Sequence, residues 1–381
     1  MGLRPFDFAV RTRIVFGDGM FAQLGSLARE LGFTRTLIVA DQGIVSAGYV
    51  DRATTLLTAA GISVDCFGQF EPNPDANMVN VGVAAASAFG ADSIVAIGGG
   101  SSLDCAKGIN FVLTNGGPMS NYWGYGKATQ PMLPAIGVPT TTGTGSEAQS
   151  YALISDPVTH RKMACGDPKV AFRIAVLDPL LSASQPRSIA AVAGYDALAH
   201  AVETYVSTRR NEISDLFARS AWRRLVGSYE RIVEAPGDVV ASGAMLLGAH
   251  EAGIAIEHSM LGATHACANA LTALHGTTHG IAIAVMLPHV VRWNGAHVDG
   301  RYAHLAQPSN GRPSADAGDI LAARLEALSR AGGLPATLRE LGVERDALPA
   351  LVADATTQWT GTFNPRPFDA TGAQELFERA Y

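Results

Sequence analysis

In the first half of the chain, short apolar runs alternate with segments of helical period. TLIVAD (36–41), ISVDCF (62–67), DSIVAIGGG (92–100) and MLPAIGVPT (132–140) read as strands. Ile94 to Ile97 are apolar at every position, the mark of a parallel strand covered on both faces, because a sheet wet on one side alternates. Between these runs, YVDRATTLLTAAG (49–61) and MVNVGVAAASAFGA (78–91) repeat apolar residues at the spacing of a helix laid on a sheet. Strand–helix–strand alternation predicts a doubly wound, mainly parallel sheet. ALISDPVTHRKMA (152–164) reads as a hairpin turning at Asp156-Pro157.

After IAVLDPLLSASQPRS (174–188) the pattern changes, and nearly everything from Ile189 onward reads as helix. AAVAGYDALAHAVETYVS, ISDLFARSAWRRLVGSYERIV, DVVASGAMLLGAHEAGIAIEH and AGDILAARLEALSRAGG carry the pattern, with a loop expected over QPSNGRPSAD (307–316). The expectation is an α/β domain over 1–185 and an all-α domain over 186–381, with no internal repeat. A length of 381 residues is itself too great for one ordinary core.

Composition narrows the class. A 48% hydrophobic and 16% charged chain buries large surfaces, and a net charge of −6 with no basic run disfavours a nucleic-acid or anionic-membrane partner. Cys66, Cys105, Cys165 and Cys267 lie far apart with no CxxC pair, which suits a reduced compartment. MGLRPFDFAV has no signal-peptide core, and no apolar run is expected to approach the roughly 18 residues of a membrane span. The expectation is a cytoplasmic protein.

Two glycine stretches compete for a nucleotide. FGDGMFA (16–22) fits GxGxxA, with Asp41 about twenty residues further on. SIVAIGGGSSLDCAKG (93–108) follows a fully apolar strand and opens a helix, so Gly98, Gly99 and Gly100 let the backbone approach a pyrophosphate at a positive helix end. PTTTGTGSE (139–147) also follows an apolar run, and two such loops after parallel strands can face one crevice. Asp41 closes its strand as either a helix N-cap or an acceptor from an adenosine ribose; the second role repels a 2′-phosphate and favours NAD over NADP.

The second half supplies metal-ligand types. In GYDALAHAVE, Asp196 and His200 share a helix face flanked by Ala, Leu and Val, and a buried carboxylate and imidazole need partners. His265 lies in the alanine-rich LGATHACANAL. His275 and His279 are spaced like a pair, but Gly276 argues for a helix end and then a new helix capped by Thr277 or Thr278. His275 is then wet, while His279 precedes the buried run GIAIAVMLPHVV. One carboxylate with three histidines suits Fe²⁺ or Zn²⁺.

GGGSSLDCAK, PTTTGTGSE, DALAHAVE and HACANALTALHGTTHG, in this order, resemble the iron-containing (group III) alcohol dehydrogenase family from about Arg13 to the C-terminal FNPRPFDATGAQELFERAY. The resemblance implies a dehydroquinate synthase-like architecture: an N-terminal NAD(P)-binding α/β domain, a helical C-terminal domain and an active site between them. It implies Asp196, His200, His265 and His279 as metal ligands, leaving His275 out. It places the pyrophosphate on Gly99, Gly100 and Ser101 with Asp104 in the same motif, and Thr140, Thr141 and Thr144 on the nicotinamide side. Asn73 and Lys162 match positions that contact the dinucleotide, and Asp41 matches the acidic residue associated with NAD. It favours GGGS over GDGMFA. It also implies a homo-oligomer, dimer or larger.

The implied reaction is hydride exchange between a small primary alcohol or diol, or its aldehyde, and nicotinamide C4. Two departures stand out. Many members carry a histidine where this chain has Asn269, which cannot titrate near neutral pH, so Asn269 is expected to orient substrate or a water. Glu257 and His258 stand where plainer residues are usual, as a helix-surface pair, the favoured reading, or as a replacement titrating couple. Alternatives are a dehydroquinate synthase-like lyase, which needs basic residues around a phosphorylated substrate, and a metal-independent reductase of the maleylacetate reductase type.

Overall fold

The computed structural model describes residues 5–298, 300–306 and 316–381. Most of the loop expected over 307–316 therefore lies outside the described residues. The chain divides into two compact units, Ala9–Gln185 and Pro186–Tyr381, the second joined by the N-terminal segment ending at Phe8. That segment departs from a division at 1–185 because Phe8 packs its ring 5.8 Å from Phe217 and 4.1 Å from His258.

The α/β unit contains strands β1 (Arg13–Phe16), β2 (Arg35–Val39), β3 (Ser63–Phe67), β4 (Ser93–Gly98), β5 (Gly124–Tyr125), β6 (Ala135–Pro139), β7 (Tyr151–Ser155), β8 (Lys162–Gly166) and β9 (Ile174–Leu177). Its helices are α1 (Leu24–Glu30), α2 (Gln42–Ser46), α3 (Tyr49–Ala59), α4 (Ala76–Phe89), α5 (Gly100–Asn115) and α6 (Pro179–Ser182). Six strands form an all-parallel sheet in the order β1-β9-β6-β4-β2-β3. The expected hairpin is β7 and β8, antiparallel, with β5 beside β8. Its turn is held by Asp156, whose Oδ1 accepts from the Val158 and Thr159 amides at 3.1 and 2.7 Å.

β4 shows why an unbroken apolar run means a central strand. Ile94 and Ala96 enter a core with Leu103, Ile109 and Phe111, while Val95 and Ile97 enter another with Leu27, Ala53 and Leu57. Burying each such aliphatic side chain is worth about 1.5–3 kcal/mol, so this strand stays in place only with helices on both faces. β1 was not expected as a strand. It is an edge strand with Ile14 and Phe16 partly exposed, too short and too wet to carry a pattern.

Strand order fixes where a ligand can lie. From β2 the chain moves outward to β3, crosses back to β4, and then moves outward the other way through β6 and β9. The loops leaving the carboxyl ends of β2 and β4 therefore diverge, and an open parallel sheet has its crevice there.

Among the described residues the second unit is helical throughout: α7 (Arg187–Val206), α8 (Glu212–Glu234), α9 (Val239–Ser259), α10 (Ala263–His275), α11 (His279–Asn294), α12 (Arg301–Ala306), α13 (Ala317–Gly332), α14 (Leu348–Ala355) and α15 (Ala370–Ala380). α7 is buried almost all round, as a bundle's central helix must be. Close packing against it uses small residues: a Cβ on Gly194 would lie 2.9 Å from Met245 and 3.0 Å from Tyr229. One expectation needs correction. α9 is long and apolar enough, by length and composition, to cross a bilayer, against the expectation that no apolar run approaches that length. Most of that helix is buried inside the bundle.

Candidate metal centre and nucleotide loops

α7 presents Asp196, His200 and Glu203 at positions i, i+4 and i+7, one stripe of one face. α10 brings His265 in its first turn, and α11 begins at His279. From Asp196 Oδ1 the Nε2 atoms of His200, His265 and His279 lie 3.4, 3.5 and 3.9 Å away. Asp196, His265 and His279 offer donor atoms all within 4.8 Å of one another; His200 reaches Asp196 but stands outside that trio. These separations are long for hydrogen bonds. They match the edge of a tetrahedron with ligand bonds of about 2.1 Å, which is about 3.4 Å. Asp196 Oδ1 and His265 Nε2 are buried and find no hydrogen-bond partner among the described residues. Two orphaned buried groups at coordination spacing fit a divalent cation better than a packed polar core.

The electrostatics agree. Burial by itself would raise the Asp196 carboxyl, yet His200, His265 and His279 around it hold it well below the usual carboxylate range. Burial would lower His265, but Glu203 on one side and Asp196 on the other outweigh it and raise the imidazole to about 9. Without metal the site therefore traps a proton, which a divalent ion has to replace.

The histidine-rich turn resolves as the glycine suggested. α10 ends at His275, Gly276 takes a φ of 64° in the left-handed region, and α11 starts after Thr278, which stands at the cap position without a side-chain cap bond. His275 is exposed. Gly280 lets α11 approach α7 closely: a Cβ there would lie 2.5 Å from the Val192 carbonyl oxygen. Asn269, one turn after His265, is half-buried, and its amide lies 3.5 Å from Gln358 Oε1, whose own amide donates to Asp354 at 2.8 Å. His258 is half-buried, with its ring 4.1 Å from that of Phe8.

In the α/β unit the loops after β2, β4 and β6 meet. Asp41 caps α2, its Oδ1 accepting from Gly43 and Ile44 at 2.9 and 3.1 Å, while its Oδ2 accepts from the Ser102 hydroxyl at 3.0 Å. The cap reading thus holds, and acceptor capacity remains on the carboxylate for a ribose hydroxyl. A Cβ on Gly99 would lie 3.2 Å from Thr141, and one on Gly100 would lie 2.7 Å from Thr144. Only glycine lets these backbones approach so closely. Asn73, at a φ of 56°, donates its amide to Ser101 Oγ at 3.1 Å, tying the β3 loop to the start of α5. Thr140 is buried, and its amide donates to the Gly98 carbonyl at 3.0 Å. Free amides at the first turn of a long helix, with glycines in front, make a cradle that suits a pyrophosphate.

The rival glycine stretch has a different task. The amides of Gly19 and Phe21 both donate to the buried Asp178 carboxylate at 3.0 Å. GDGMFA is a turn satisfied by protein, so its amides are not free for phosphate.

Sequence reading missed Lys107, Asp178 and Glu203. Lys107 is buried and donates to Ser146 O, Ser146 Oγ and Tyr151 O at 2.7, 3.0 and 2.7 Å. Asp104 accepts from Ser146 Oγ at 2.7 Å; burial raises its carboxyl, with Lys107, Ser146 and then Lys162 opposing. The pair thus pins the threonine loop to α5. A signal existed for Glu203 in its seven-residue step from Asp196, and for Lys107 in its three-residue step from Asp104.

A doubly wound sheet with a glycine-rich helix start, and a helical unit with a buried carboxylate–imidazole cluster, fit the class of metal- and nucleotide-dependent enzymes. Residues 11–179 match the family described as iron-containing alcohol dehydrogenase, and residues 190–381 match its Fe-containing C-terminal family. The chain is 32% identical to 1,3-propanediol dehydrogenase of Citrobacter freundii over the whole of both proteins. It is 31% identical to NAD-dependent methanol dehydrogenase of Bacillus methanolicus, over 98% of this chain and 99% of that one. The crystal structure of a 1,3-propanediol oxidoreductase superposes with a TM-score of 0.96 at 32% identity, covering 99% of this chain and 100% of the other. The protein belongs to the iron-containing alcohol dehydrogenase family and is an oxidoreductase of that class.

Proposed function

We propose that the protein is a metal-dependent, NAD-linked alcohol dehydrogenase and aldehyde reductase acting on a small primary alcohol or diol. The observation that carries this reading is the convergence of Asp196, His265 and His279, with His200 against Asp196, at coordination spacing in a buried site. Asp196, His200, His265 and His279 hold the ion, Fe²⁺ or else Zn²⁺. Bound there, a divalent ion supplies Lewis acidity, lowering an alcohol's pKa or polarising an aldehyde carbonyl. Asp41, Asn73, Gly99, Gly100, Ser101, Asp104, Thr140, Thr141, Thr144 and Lys162 bind and orient the dinucleotide. NAD supplies the hydride acceptor or donor at nicotinamide C4.

The chain's own residues do the rest. The α5 amides hold a pyrophosphate, the threonine loop fixes the ring, and Asp41 disfavours a 2′-phosphate. Asn269 orients substrate or a water, its amide already turned toward Gln358. The small alcohols that name the relatives, 1,3-propanediol and methanol, support the substrate size. Arg292, the basic residue beyond the ligand motifs, is committed to Glu326 and Asp319 at 2.5 and 3.4 Å, which counts against a lyase that must hold a phosphorylated substrate. The four free cysteines suit the cytoplasm. The terminal strand β1, with Ile14 and Phe16 partly exposed, supports a homo-oligomer, and the net charge of −6 argues against a nucleic-acid or membrane partner.

The test is anaerobic purification with metal content and NAD⁺-dependent turnover measured on a panel of short alcohols. His265→Ala abolishes metal retention and turnover, whereas His275→Ala leaves both largely intact. Equal losses in the two variants, or full turnover by chelator-stripped protein, would overturn the proposal.

A further inference from the structure

We propose that Glu203 is a positioning residue for the cation site: it sets the His265 tautomer and supplies the second negative charge that a divalent ion needs there. This rests on the function proposed above. Glu203 and His265 are both buried, and both carboxylate oxygens are in use as acceptors. Oε1 accepts from the Thr264 amide at 2.7 Å, and Oε2 lies 2.5 Å from His265 Nδ1.

A carboxylate has no proton to give, so Nδ1 is the donor. In the neutral imidazole the lone pair is then on Nε2, the atom that faces Asp196 Oδ1 and lacks a partner among the described residues. Glu203 also caps α10 in trans. The N-cap residue Gly262 has no side chain, and a Cβ there would lie 3.0 Å from Glu203 Oε1 and 2.9 Å from Asn364 Oδ1. Asn364 Oδ1 accepts from the neighbouring Ala263 amide at 3.2 Å. The helix start that carries His265 is thus held by two side chains from elsewhere in the unit. Of the two acceptors, Glu203 alone also touches the imidazole. Charge points the same way. With Asp196 alone, a divalent ion would leave one net positive charge in a buried site, and Glu203 cancels it.

Glu203→Gln isolates the idea, because an amide cannot accept from both partners. Its NH₂ opposes either the Thr264 amide or Nδ1, and in the second case His265 carries its proton on Nε2, pointing into the ligand cluster. The experiment uses chelator-stripped full-length protein. Fe²⁺ and Zn²⁺ affinities are read by competition with a chromophoric chelator, the His265 tautomer by ¹⁵N imidazole shifts, and thermal stability in parallel. Glu203→Gln should weaken cation binding about 10–100-fold. Asn364→Ala, which removes the companion cap together with the bonds to Asn294 and Arg366 but leaves the imidazole's carboxylate partner in place, should lower the melting temperature and leave cation affinity within about 3-fold. Wild-type affinity in folded Glu203→Gln would overturn the proposal, as would equal affinity losses in the two variants. So would a neutral His265 that carries its proton on Nε2 in the metal-free wild type well above pH 9, a measurement that stands even if Glu203→Gln does not fold. Failure of the wild type to bind either cation would instead strike the proposed function.

Discussion

Adding one methyl group at Gly280 tests whether the approach of α11 to α7 sets the metal centre. Gly280 is the second residue of α11, directly after His279, and a Cβ there would lie 2.5 Å from the Val192 carbonyl oxygen and 2.7 Å from Val192 Cγ1. That carbonyl lies inside α7 and, by the helix's own pattern, accepts from the amide of Asp196. It cannot swing away as a flexible side chain would. Real Cβ contacts essentially never fall below 3.0 Å, so Gly280→Ala drives the helices apart by at least about 0.5 Å. The separation from His279 Nε2 to Asp196 Oδ1, already 3.9 Å, then exceeds twice a ligand bond of about 2.1 Å.

Overpacking costs about 1–3 kcal/mol, and the better helix propensity of alanine returns about 0.5–1 kcal/mol. The net loss, up to about 2.5 kcal/mol, lowers the melting temperature by about 2–4 °C per kcal/mol for a unit of this size. Cation affinity should fall about 10-fold or more. The control is Gly227→Ala in α8, exposed and with nothing within 4 Å of the added Cβ; it should gain about 0.5–1 kcal/mol. Calorimetry and chelator competition on both variants read the result. If Gly280→Ala melts and binds metal like the wild type, close helix approach does not set the site.

Other outcomes follow from the same geometry. Asp178→Ala leaves the amides of Gly19, Phe21 and Leu180 without their acceptor, each at 3.0 Å, and should cost about 2–4 kcal/mol in urea unfolding while NAD affinity per folded molecule is kept; a selective loss of NAD binding would restore GDGMFA as the phosphate loop. Asp41→Asn keeps a capping oxygen and removes a charge. A like-charge contact near a protein surface costs about 1–4 kcal/mol, so the NADP-to-NAD ratio of kcat/KM should rise about tenfold, and an unchanged ratio would remove Asp41 from cofactor choice. In metal-free protein His265 is raised from 6.5 to about 9, so its proton stabilises the fold fully below about pH 6.5 and that contribution is lost as pH rises through about 9. The metal-free wild type, but not His265→Ala, should therefore melt progressively lower across that window, while cation affinity rises with pH; parallel melting curves for the two proteins would refute this.

Much of the architecture was legible because burial leaves a periodic trace. β4 is apolar at every position because both faces are covered, and α3 and α4 repeat at helical spacing because one face is. Asp196 and His200 could be paired from four-residue spacing, and Gly276 separated His275 from His279, because helix geometry is local and glycine marks a left-handed turn. β1 left no such trace, since an edge strand is wet and takes its order from β9, more than 150 residues away.

What only the folded chain decided is where distant groups meet. Nothing near GDGMFA reveals that Asp178 satisfies its amides across 157 and 159 residues, which removes it as a phosphate loop. Nothing near His265 reveals that Glu203 holds its far nitrogen. Secondary structure follows from spacing along the chain. The state of a buried polar atom depends on which partners the core brings within about 3 Å, and chain spacing does not contain that distance.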